Sequence, residues 1–96
     1  MRRHQSEQVG TVIQQFLREE GLETPYNEYR LLQAWPEVVG QGVAQLTNDL
    51  QIRNRVLYVT LRSSVLRQEL MYGRQTLVYR LNEHVGAQVI DHIVLR

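Results

Sequence analysis

The side chains able to do chemistry in this 96-residue chain are few, and their spacing narrows what they can do. His4, His84 and His92 match no metal-ligand spacing. His92 follows Asp91, but no nucleophile with a supporting signature stands with them. The absence of cysteine excludes disulfides and thiolate zinc centres. Val39-Gly40-Gln41-Gly42 is glycine-rich, yet it lacks both the P-loop lysine and the spacing of a dinucleotide-binding turn, so its glycines are expected to serve the turn into Val43. The residues therefore point away from an enzyme and call for no cofactor and no metal.

What remains is arginine. Every Lys+Arg position is Arg, and the net charge of +1 hides an uneven split. Residues 1–48 hold four Arg and six acids, for −2, whereas residues 49–96 hold seven Arg and four acids, for +3. Guanidinium groups grip phosphate or carboxylate bidentately and stack on bases, which ammonium groups do not. A compositional bias of the source is the plain alternative, and dedicated nucleic-acid binders are usually far more basic.

The candidate surface depends on the stretch Thr47–Ser64, which alternates as a β-hairpin running into a helix. A two-residue turn at Asn54-Arg55 pairs Ile52 with Leu57 and Leu50 with Val59, placing them and Leu61 on one face. The other face carries Gln51, Arg53, Val56, Tyr58, Thr60 and Arg62. Arg53, Tyr58 and Arg62 on that face, Arg55 at the tip and Arg67 at the start of the following helix are the expected nucleic-acid contacts. Bases would stack on Tyr58 while the arginines meet phosphates; an ordinary solvated sheet face is the alternative.

The remaining elements follow from periodicity. Val9, Val12, Ile13, Phe16 and Leu17 give an amphipathic helix over 5–20, capped by Ser6 and stopped by Gly21. A second helix is expected from about Glu28 to Trp35, capped by Asn27 and kinked or broken at Pro36, then a short turn through Val38 and Val39 to Gly40, with Val43-Ala44 as a further helical turn. Trp35 reads as a core anchor whose truncation to Ala should cost about 3–5 kcal/mol, with base stacking as its alternative. A long helix capped by Ser63 or Ser64 runs to Val85, with Gly86 after it. Its second seam, Val65, Tyr72 and Tyr79, is read as covered by the first helix, leaving the protein monomeric; an exposed stripe for a partner is the other reading. Ala87–Arg96 reads as a strand lying inside the sheet. The whole is one domain over residues 1–96, of α+β class, in the order α-α-β-β-α-β, with helices on one face of a three-stranded sheet. No apolar run reaches membrane-spanning length and no signal core follows the basic start, so the location is expected to be cytoplasmic, away from membranes.

Trp35-Pro36-Glu37-Val38-Val39-Gly40, Thr47, Val56-Leu57-Tyr58-Val59, Ser63-Ser64, Glu69-Leu70 and Leu81-Asn82 together resemble the DciA-like family, over nearly the whole chain from about residue 8. The resemblance implies a KH-like α/β domain that binds DNA and the replicative helicase and assists helicase loading in bacteria without ATPase loaders. Two features of relatives are expected to have no counterpart here. The resemblance leads one to expect a flexible extension, which the sequence to Arg96 is expected to lack, and the glycines at 40 and 42 have the wrong spacing for a GxxG loop. The functional expectation is a non-enzymatic adaptor of bacterial DNA replication that binds single-stranded or duplex DNA weakly and contacts the helicase. The alternatives are an RNA-binding protein and a protein–protein module that never touches nucleic acid.

Overall fold

The computed structural model describes the backbone of residues 2–96 and side chains from Val9 onward. Its elements are α1 (Arg2–Glu19), α2 (Glu23–Val39), α3 (Gln41–Gln45), β1 (Thr47–Arg53), β2 (Val56–Leu61), α4 (Ser64–Met71), α5 (Arg74–Val85) and β3 (His92–Leu95). This is the expected α+β class built on a three-stranded sheet, in the order β1-β2-β3. The hairpin has the expected register, Ile52 opposite Leu57 and Leu50 opposite Val59. Asn54 and Arg55 both take positive φ, 50° and 66°, which is the turn whose twist matches the two strands.

β2 is the middle strand, antiparallel to β1 and parallel to β3. Parallel neighbours need a long crossover, and α4 and α5 supply it. β3 is therefore an edge strand and not the internal one expected. It is also shorter, because residues 86–91 form a connection in place of a strand.

Three helical expectations change for physical reasons. α2 starts at Glu23, not after an Asn27 cap, with Pro25 in its first turn, where a missing N–H loses nothing. It also continues through Pro36 to Val39, closing with the Gly40 N–H on the Pro36 carbonyl at 2.9 Å. Trp35 anchors that stretch: it is buried, and its indole N–H donates to Thr47 Oγ1 at 3.1 Å, which in turn donates to the Val43 carbonyl at 2.8 Å. Keeping the helix intact past Pro36 also holds Val38 and Val39 against the core. The core role expected for Trp35 is the observed one.

The helix expected over Ser64–Val85 breaks at Tyr72-Gly73. Unbroken, it would run roughly 33 Å, whereas β2 spans about 20 Å. Gly73, the weakest helix former in the run, is where it turns back. α4 then lies by β2 and β3, and α5 packs on α2. The break also splits the seam: Val65, Tyr72 and Tyr79 are all exposed, Tyr72 at 82%, and α1 does not cover them. α1 starts at Arg2, not residue 5; the capping role expected of Ser6 lies outside the described side chains.

Helix ends follow the sequence closely. Gly21, at φ 70°, closes α1 with the Leu22 N–H on the Leu17 carbonyl at 2.8 Å and the Gly21 N–H on that of Arg18 at 3.3 Å. Ser63 Oγ accepts from the Leu66 N–H at 3.1 Å and starts α4. Gly86 ends α5 in the left-handed conformation, at φ 82° and ψ 22°.

The core collects Leu31 and Trp35 from α2, Leu57, Val59 and Leu61 from β2, Leu77, Val78, Leu81 and Val85 from α5, and Val89, Ile90 and Ile93. Asn82, the one buried polar side chain among the described residues, holds the α5–β3 connection. Asn82 Oδ1 accepts from the N–H groups of Val89 and Ile90 at 2.9 and 3.1 Å, and Nδ2 donates to the Ile90 carbonyl at 2.8 Å. Asn82→Ala strands buried backbone donors, so it is expected to destabilise by at least about 2 kcal/mol in urea unfolding. A loss within about 0.5 kcal/mol, typical of an ordinary surface site, would show that the connection holds itself.

Candidate nucleic-acid interface

Alternation in the sheet sends Leu57, Val59 and Leu61 into the core and Val56, Tyr58 and Thr60 to the opposite face. The register sets their neighbours. Tyr58 lies between Gln51 of β1 and Val94 of β3, and Val56 lies between Arg53 and His92. Arg96 continues β3 one step further, its N–H on the Val59 carbonyl at 2.9 Å and its carbonyl accepting from the Leu61 N–H at 2.8 Å.

Two guanidinium groups converge on the Tyr58 ring. Arg53 Cζ and Arg96 Cζ each lie 5.0 Å from its centroid, cation–π distance. Arg53 is diagonal to Tyr58 on the hairpin-tip side and Arg96 is diagonal on the opposite side, so they reach the ring from opposite ends of the strand. Neither forms an ion pair among the described residues. Their charges are held in place without being neutralised. Asp49, exposed on the same side of β1, is the acidic residue of this face.

The other expected contacts are placed elsewhere. Arg55 is turned to the sheet edge, where Nε and Nη2 donate to the two Asp91 carboxylate oxygens at 2.9 Å each and Nη1 donates to the Gln88 carbonyl at 3.0 Å. The Asp91 N–H donates back to the Arg55 carbonyl at 2.8 Å. That clasp explains a bulky residue in a left-handed turn position that glycine would fill more easily. Arg62 lies beyond the end of β2, its Nη2 donating to the Gln45 carbonyl. Arg67 sits half-buried in the first turn of α4.

Of the five residues the sequence singled out, the structure thus brings Arg53 and Tyr58 together and adds Arg96. Extending the alternation of His92 and Val94 by two positions would have found Arg96. The Asp91 partner of Arg55 is 36 residues away and has no sequence signal. Among the described residues no group of His, Cys, Asp and Glu could hold a metal, and no helix is long and apolar enough to cross a membrane.

The sequence model of the family described as "Dna[CI] antecedent, DciA" matches residues 8–95. The UPF0232 protein SCO3875 of Streptomyces coelicolor is 35% identical over 80 residues, covering 81% of this chain and 42% of that protein. The chain spans under half the length of this curated relative.

The Arg55–Asp91 clasp is also the titratable joint between the hairpin and β3. Arg55, by hydrogen bond first and by charge as well, holds the Asp91 carboxyl below its ordinary 3.8, and Asp91 raises the Arg55 guanidinium. A carboxyl depressed by folding stabilises the native state fully above the unfolded value and loses that contribution as pH falls through the folded value. Wild-type stability is therefore expected to decline as pH drops below about 3.8. Asp91→Asn should be less stable near neutral pH and show a shallower acid decline in thermal melts. Parallel acid profiles for the two proteins would mean the clasp contributes nothing.

Proposed function

The chain belongs to the DciA family, and from that premise we propose that it is a non-enzymatic nucleic-acid-binding adaptor of bacterial DNA replication that contacts or helps load the replicative helicase. The replication role and the helicase partner are supported by the family. The nucleic-acid role is supported by one observation, the pair of unneutralised guanidiniums that Tyr58 spaces on the open sheet face. In this reading Arg53 and Arg96 meet phosphates of the DNA backbone, which gives affinity without sequence preference. Tyr58 acts mainly by positioning them, since base stacking on its ring requires an arginine to move aside. Arg62, bonded to the Gln45 carbonyl, and Arg67, half-buried in α4, stand apart from this pair, and Arg55 serves the turn.

The KH-like reading is supported by a helix pair, α4 and α5, between two parallel strands. Its turn, Met71-Tyr72-Gly73-Arg74, has one glycine where a GxxG loop has two. A second reading, a protein–protein module whose arginines meet acidic groups of a partner, is favoured by the net charge of only +1, low for a dedicated nucleic-acid binder.

Fluorescence anisotropy with labelled single-stranded, duplex and RNA oligonucleotides across a salt series separates these readings. Wild-type binding is expected in the micromolar range of non-specific affinities. Arg53→Ala/Arg96→Ala should weaken it and flatten the log K against log salt slope by about 1.4 on a single strand. Tyr58→Phe should bind like wild type, and Tyr58→Ala should lose both affinity and slope. An affinity loss of about 1–3 kcal/mol with an unchanged slope would instead make Tyr58 a stacking platform. A folded double variant with wild-type affinity and slope removes this face as the site. A folded wild type that binds none of the probes at low salt leaves the protein-module reading.

A further inference from the structure

α1 stands off the body with its apolar stripe uncovered. Val9, Val12, Ile13 and Phe16 are 58%, 65%, 51% and 55% exposed, and only the neighbouring Leu17 is half-buried, at the α1–α2 junction. A helix of this length draws most of its stability from packing such a face, so the stripe calls for an occupant.

We propose that the occupant is the same stripe of a second copy, giving an antiparallel α1–α1 pair in a homodimer. The stripe is self-complementary about its own centre. A two-fold axis between positions 12 and 13 sets Val12 beside Ile13 of the second copy and Val9 beside its Phe16, a small side chain against a large one at each end. Direction follows from charge and from shape. Parallel packing would set Glu19 and Glu20 against their own copies and align the two helix dipoles. The body also hangs from the C-terminal end of α1 only, so antiparallel packing puts the two bodies at opposite ends, where parallel packing would crowd them.

Size sets the strength. The exposed parts of the four side chains amount to roughly 400 Å² per copy, or roughly 800 Å² for the pair, below the ~1,200 Å² at which stable interfaces begin. The dimer is accordingly weak and reversible, populated at tens to hundreds of micromolar. It uses neither the open sheet face nor Tyr72 and Tyr79.

Sedimentation equilibrium from about 10 to 500 µM tests it directly. The full chain is expected to shift from monomer to dimer over that range, and Ile13→Glu to stay monomeric with an unchanged melting temperature. Val12→Gln, a milder change, should weaken the dimer at least tenfold. Because the chain has no cysteine, introduced ones report the register. Val9→Cys mixed with Phe16→Cys should form a disulfide between unlike chains, while either variant alone cross-links poorly. A wild type monomeric throughout, a dimer untouched by Ile13→Glu, or efficient Val9→Cys self-cross-linking would each overturn the proposal. Loss of the dimer in Tyr72→Glu would move the interface to α4.

Discussion

The register of β2 is the constraint on which the rest depends. One strand serves two purposes at a period of two: Leu57, Val59 and Leu61 close the core, and Val56, Tyr58 and Thr60 form the open face. A slip by one residue would exchange the two sets, burying Tyr58 and exposing three core positions. The cost of unburying side chains of that size, roughly 1.5–3 kcal/mol each, makes the register effectively fixed. Two devices pin it from either side. The Asn54-Arg55 turn sets β1 against β2, and the Arg55 clasp on Asp91 and the Gln88 carbonyl ties that turn to the entrance of β3. From the helical layer, Asn82 holds the same entrance through Val89 and Ile90. β3 is a four-residue edge strand, and the residues leading into it, Gln88 to Asp91, are held by side chains from elsewhere.

The elements with strong local signals were legible in the sequence. Alternation over Thr47–Leu61 gave the hairpin, its turn and both faces, and Gly21, Ser63 and Gly86 marked helix ends through backbone geometry that few residues satisfy. Where tertiary packing overrode local preference, sequence reasoning failed. Pro36 disfavours a helix locally, yet Trp35, buried and hydrogen-bonded to Thr47, sits beside it and the helix continues. The heptad spacing of Val65, Tyr72 and Tyr79 suggested a single covered seam, but a straight helix overruns the sheet and Gly73 breaks it. At the candidate site, alternation placed Arg53 and Tyr58 correctly. The pairing of Arg55 with Asp91 has no local signal because the partner is distant in the chain, and Arg96 joins the ring only when the alternation is carried to position 96.

The division of labour among the arginines follows from these contacts. An arginine whose charge is paired and most of whose donors are engaged, as those of Arg55 are by Asp91 and Gln88, stabilises the fold and offers less to a ligand. One resting on an aromatic ring keeps its charge and most of its donors free. Arg53 and Arg96 belong to the second kind, and the sheet holds them on either side of a single ring. A basic site of this size suits weak, backbone-directed contact.

The most direct measurement is an amide chemical-shift map of the isotope-labelled chain titrated with a short oligothymidine. The account predicts that shifts concentrate at Arg53, Val56, Tyr58 and Thr60 and along Val94–Arg96, and leave α1 and α2 unmoved. Shifts confined to the Tyr72-Gly73 turn, or to α1, would contradict it.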